Sequence, residues 1–96
     1  MTHRQQFKFR LYVADETLNS SQALANLTSF CRQYLSGRHE IEVVDVFRSP
    51  ERALVDRIFM TPTLIKLAPH PTRMIVGTLS DEQPVISLLG LVGADT

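Results

Sequence analysis

From Phe7 to Val13 the chain alternates with period two, placing Phe7, Phe9, Leu11 and Val13 on one face of a predicted strand. A polar connection, Asp15 to Asn19, follows. Asn19 offers an N-cap oxygen, and Gln22 three residues later completes a capping-box pattern. Leu24, Leu27, Phe30, Cys31, Tyr34 and Leu35 then recur at steps of three and four, the stripe of an amphipathic helix, with Gly37 placed to end it at C′. Ile41 to Phe47 is rich in β-branched residues and reads as a largely buried second strand. Strand, helix and strand make a βαβ unit, hence a parallel pair with a right-handed crossover.

In the second half, Ser49-Pro50 reads as a cap with proline at N1, predicting a helix over 50–59. Pro62 interrupts, Leu64 to Leu67 reads as a strand, Pro69-His70-Pro71 forces a turn, and Arg73 to Val76 is a further strand ended by Gly77. Ser80 with Gln83 suggests another capping box. The apolar run Val85, Ile86, Leu88, Leu89, Leu91 and Val92 suits a helix or a strand. Gly90 weakens the helix by about 1 kcal/mol relative to alanine, so 85–92 is expected to be at least partly extended and covered in an oligomer. The order βαβ-α-ββ-α is the thioredoxin-like arrangement, and the Thr61-Pro62 pair fits the cis proline such folds hold before a strand. The first helix should then open with a redox cysteine pair, but the stretch from Asp15 to Ser21 has no sulfur.

Ninety-six residues, 44% hydrophobic and 21% charged, describe one folded domain, expected over 7–93 with short tails at 1–6 and 94–96. Ten basic residues balance ten acidic ones, so there is no electrostatic footprint of a nucleic-acid binder and little charge to oppose self-association. The single cysteine rules out an internal disulfide, a CxxC pair and a multi-cysteine zinc site, and its place on the apolar stripe makes Cys31 a core thiol. No apolar run reaches the roughly 18 residues of a membrane span, so a cytoplasmic location is expected. His3, His39 and His70 have no metal-ligand spacing. Asp15-Glu16 and Asp81-Glu82 sit beside helix starts, where negative charge meets the helix dipole. No phosphate loop, Ser-His-Asp set or HExxH pattern is present, and neither an enzymatic role nor a cofactor is expected.

Six segments together carry a family resemblance: Arg10 to Ala14, Asn19-Ser20, Val44-Asp45-Val46, Ser49-Pro50, Thr61 to Leu64, and Gly77 to Ser80. In this order and spacing, over residues 7 to about 92, the chain resembles the KaiB family of cyanobacterial-type clock regulators. The resemblance implies an α/β, thioredoxin-related fold with an N-terminal βαβ unit and a C-terminal half able to adopt alternative, fold-switched packing. It also implies a non-catalytic regulator that binds a KaiC-like hexameric ATPase and rests as a homo-oligomer, a tetramer or dimer. Carried over residue by residue, Arg10 matches a family lysine on the first strand and Arg57 a lysine associated with the ATPase contact. Arg73 matches an arginine after the Pro-x-Pro turn. Pro62, Leu88 and Gly90 fall where the alternative packing would be decided.

Departures from the pattern carry weight as well. Gln22 and Glu42 stand where clock members tend to be basic, and Met74 replaces the second of two arginines. The family's Gly-Leu-Asp is Leu88-Leu89-Gly90, and the chain ends at Ala94-Asp95-Thr96 without an acidic tail. These departures leave ATPase binding in place and make KaiA capture doubtful, so a stress-response role stands beside a clock role. Arg57 has a competing reading as an ordinary solvated residue. Two other functions compete with the regulator: a thioredoxin-like redox enzyme, disfavoured by the mid-helix position of Cys31, and a KaiB-like sensory module of a histidine kinase.

Overall fold

A computed structural model describes residues 6–15 and 17–89. Seven elements follow the expected order: β1 (Phe7–Val13), α1 (Leu18–Tyr34), β2 (His39–Asp45), α2 (Pro50–Val55), β3 (Thr63–Ala68), β4 (Arg73–Val76) and α3 (Glu82–Leu89). The four strands form one sheet in the order β2-β1-β3-β4. β1 runs parallel to β2, as a βαβ unit requires, and antiparallel to β3, which is antiparallel to β4.

The alternation of β1 sorts the molecule into two faces. Phe7, Phe9, Leu11 and Val13 join Ala23, Leu27, Phe30, Cys31 and Leu35 of α1 and its end, and Val85, Leu88 and Leu89 of α3, in one buried core. On the opposite face Tyr12 meets only Val44, Ala53 of α2 and Ile65, with Val46, Ile58 and Leu67 at the margin. Helices α1 and α3 therefore cover one face, and α2 covers the other. The Thr61–Pro62 peptide is cis, as the thioredoxin-like arrangement implies.

Several expectations need correction. Thr17, not Asn19, caps α1: its backbone is extended and its Oγ1 accepts the Ser20 N–H at 3.2 Å, which leaves Asn19 inside the first turn. Gly37 does adopt a left-handed φ of 75°, but two residues beyond the C-cap Leu35. β2 is an edge strand, and of its residues only Val44 is buried, because no helix lies over most of its length.

Helix α2 stops at Val55 rather than at 59. Arg57 takes a left-handed φ of 57°, the Arg57 N–H donates to Leu54 O at 3.1 Å, and the Ile58 N–H donates to Ala53 O at 2.8 Å. That is a Schellman ending with arginine where glycine usually stands. At α3 the Ser80 hydroxyl pairs with Thr78, and Asp81 Oδ1 instead accepts the Gln83 N–H at 3.0 Å. Residues 85–89 are helical and not extended, since Val85, Leu88 and Leu89 at i, i+3 and i+4 all bury on one side. Gly90, Leu91 and Val92, and the tail positions 1–5 and 94–96, lie outside the described residues.

Candidate functional site

Where thioredoxin-like proteins carry their thiol pair, this chain has hydroxyls. Thr17 Oγ1 donates to Ser20 Oγ at 2.9 Å, and Ser20 Oγ in turn accepts the Ala14 N–H at 3.1 Å, joining β1 to α1. Cys31 sits within the core, and burial pushes its thiol up to about 11, away from thiolate chemistry. The geometry at the start of α1 is structural.

The polar feature that stands out lies on the α2 face. Arg10 points away from the main core, toward α2. Its Nε donates to Glu42 Oε1 at 2.8 Å and its Nη1 to Asp56 Oδ2 at 3.0 Å. Arg52 Nη2 donates to Glu42 at 3.0 Å. The fully buried Tyr12 sends its hydroxyl to Asp56 Oδ2 and to the Arg52 carbonyl, 3.1 Å away. Five residues from β1, β2 and α2 thus close a ring beside a cleft of about 210 Å³.

The ring sets the ionisation of its members. Hydrogen bonding from Arg10 holds the Glu42 carboxyl below its ordinary value, against partial burial, with help from Arg52. For Asp56 burial pushes upward, but hydrogen bonds from Tyr12 and Arg10 and the two arginine charges outweigh it, and the net shift is downward. Glu42 raises Arg10 in turn, against desolvation, with a further contribution from Asp56. Burial first, and then the hydrogen bond to Asp56, push Tyr12 up to about 12.

Beyond the ring, α2 and the turn after it display apolar side chains to solvent. Leu54 is 79% exposed, Val55 80% and Phe59 89%, with Met60 and Phe47 also exposed. Arg57 stands exposed among them at the Schellman position. These large apolar side chains are left uncovered on one short helix and its flanking loops.

The sequence-predicted basic residues do not form one patch. Arg10 is tied into the ring, whereas Arg57, just past α2, is exposed and makes no ion pair among the described residues. Arg73 begins β4, two strands from β1, and its register with Lys66 puts it on the α1 and α3 face. There it faces a buried lysine: burial first, then the Arg73 charge, lowers the pKa of Lys66. Pro62 is buried at the head of β3, and Leu88 packs in the main core. Glu42, Arg52 and Asp56 come together only in the folded structure. Only the spacing of four between Arg52 and the C-cap Asp56 is visible locally.

A four-stranded mixed sheet with two helices on one face and one on the other defines a thioredoxin-fold protein, and the head of α1 carries no thiol pair. A chloroplastic thioredoxin z has this fold (TM-score 0.76, 19% identity, covering 95% of this chain and 81% of that one). So does the N-terminal domain of Synechococcus elongatus SasA (TM-score 0.75, 19% identity, 92% and 84%). At the level of sequence the chain belongs to the KaiB family: the KaiB domain model matches residues 10–91. It is 41% identical over 91 residues to the circadian clock oscillator protein KaiB of Gloeothece citriformis, covering 95% of this chain and 86% of that protein. Against the circadian clock protein KaiB3 of Synechocystis sp. the identity is 40% over 82 residues, 85% and 78% of the two chains. Family membership makes the chain a regulatory protein and not an enzyme.

Proposed function

We propose that this protein is a circadian-clock regulator that works by docking on a KaiC-like hexameric ATPase through its α2 face. The exposed row Leu54, Val55, Phe59 and Met60 around Arg57 carries the reading, because it joins apolar contact area to a cation in one place. Arg57 and the apolar row make the contact, while Arg10, engaged with Glu42 and Asp56, supports it from below. Capture of KaiA is not part of the proposal, since Glu42 stands in place of a basic residue and is consumed by the ring. The location follows the expectation from sequence, the cytoplasm; among the described residues no helix is long and apolar enough to cross a membrane.

Arg57 offers a clean test. Its left-handed φ of 57° is a conformation that costs a non-glycine residue about 1–2 kcal/mol. Arg57→Gly is therefore expected to keep or raise the thermal midpoint while weakening binding in a calorimetric titration with a purified KaiC-like hexamer. Arg57→Ala should weaken binding similarly with stability shifted by no more than about 0.5 kcal/mol. Unchanged affinity in both variants would remove Arg57 from the contact. The same exposed apolar row supports a second reading, self-association into a dimer or tetramer. Light scattering on the wild type and Phe59→Ser tests it, since loss of a larger species in the variant is the expected result.

A further inference from the structure

Helix α2 has few of the usual reasons to stay in place. It is six residues long, far below the roughly 12–15 at which an isolated helix begins to hold in water. Its N-cap Ser49 makes no side-chain cap bond, and Ala53 is its only buried residue. Yet Leu54 and Val55 face solvent, so the helix cannot be held by burying them. Of the three ion pairs among the described residues, Arg52–Glu42 and Arg10–Asp56 tie the helix and its C-cap to the sheet, and Arg10–Glu42 links those two across the strands. Tyr12, buried in the sheet, adds hydrogen bonds from its hydroxyl to both Asp56 and the Arg52 carbonyl, one at each end of the last turn.

We infer that Arg10, Tyr12, Glu42, Arg52 and Asp56 form an electrostatic clasp that fixes α2 on the sheet, with Asp56 as the joint between helix and strand. The clasp sets the position of Leu54, Val55, Arg57 and Phe59, so its members are positioning residues for the docking face; this last step rests on the proposed ATPase contact, whereas the clasp itself does not. Asp56 occupies the C-cap, the residue directly before Arg57, so a shift of its carboxylate is passed straight to the arginine. Arg10 bridges two acids on two different elements and cannot release one without unbalancing the other. Such a network acts as a unit, which is why removal of a single charge is expected to loosen the whole helix.

Amide hydrogen exchange on the full chain tests this without a partner. In Asp56→Asn and in Glu42→Gln, amides of residues 53–58 are expected to exchange about tenfold faster, while those of β1 at Leu11 and Tyr12 stay protected. Tyr12→Phe, which keeps the buried ring, guards against a variant that merely misfolds and should show the same local loosening. Raising sodium chloride to about 1 M should speed α2 exchange in the wild type and leave the Glu42→Gln, Asp56→Asn double variant unmoved, a response that simple packing damage would not give. Unchanged α2 protection in all three variants, or loss of protection spread equally over the sheet, overturns the clasp. Titration of the same variants with the KaiC-like hexamer separates the two proposals. Loosened α2 in the clasp variants, with full affinity in Arg57→Ala, leaves the clasp standing and sinks the α2 docking reading. Undisturbed α2, with binding still lost on Arg57→Ala, does the reverse.

Discussion

The two faces of the sheet are held by different physics. On the α1 and α3 face, four alternate residues of β1 meet two helices, and fourteen buried residues among those described make a continuous apolar core. On the α2 face four buried residues suffice, and the rest of the attachment is polar. Burial of apolar area is non-directional and is not weakened by ionic screening, so the first face is a permanent scaffold. Ion pairs and hydrogen bonds are directional and open to screening, so the second face can be adjusted by its environment. The protein thus places the exposed side chains of Leu54, Val55 and Phe59, the docking face proposed above, on the side whose attachment is the easier to alter.

The largest effect that would sharpen this contrast is a cavity in the first face. Phe9 is 1% exposed and contacts the core shared by α1 and α3. Phe9→Ala should cost about 3–5 kcal/mol in a urea unfolding experiment, a large part of the stability of a domain this size. A loss below about 1 kcal/mol would mean that the first face is not the scaffold.

Much of that scaffold can be read from local pattern. The alternation of Phe7 to Val13 gives β1 and its buried face directly, and the stripe from Leu24 to Leu35 gives α1. What fails is information that does not lie nearby. Nothing local tells that β2 is an edge strand, and its β-branched run alone reads as a buried one. The end of α2 depends on a left-handed arginine, which no composition rule anticipates. The ring on the second face joins positions 46 apart in the chain, Arg10 and Asp56, and no periodicity connects them. Residues 85–89 carry a pattern that fits either element, and only the cover supplied by α1 and β4 settles it as helical.

The helix start on the first face yields a smaller test. Thr17→Ala removes the oxygen that accepts the Ser20 N–H and the hydroxyl that reaches Ser20 Oγ, and should cost about 1 kcal/mol. Asn19→Ala, within the first turn, should be close to neutral. Equal losses from both, measured by thermal unfolding, would return the cap to Asn19 and weaken the account of how α1 is anchored to β1.

The smallest expected effect belongs to the second face and is read by pH. Glu42 and Asp56 are both held below their ordinary values, near 4.5 and 3.8, by the arginines and Tyr12. A carboxylate with a lowered folded pKa contributes stability that is present above its unfolded value and is lost as pH falls through the folded one. The contribution of the ring should therefore be complete above about pH 5 and disappear progressively below about pH 4. Because Glu42 is nearly half exposed, solvent screens it, and each ion pair is worth only about 0.2–1 kcal/mol. Tyr12 acts at the other limb: its pKa is raised to about 12, so the stability it lends is present below its unfolded value near 10 and falls as pH rises through 12. The measurement is a difference between two unfolding curves. Glu42→Gln cannot titrate, so the stability gap between wild type and variant should close on acidification from pH 6 to pH 3, while the gap between wild type and Phe9→Ala stays constant. A Glu42→Gln gap that persists unchanged at pH 3 would show that the second face is held by packing after all, and would erase the contrast between the two faces.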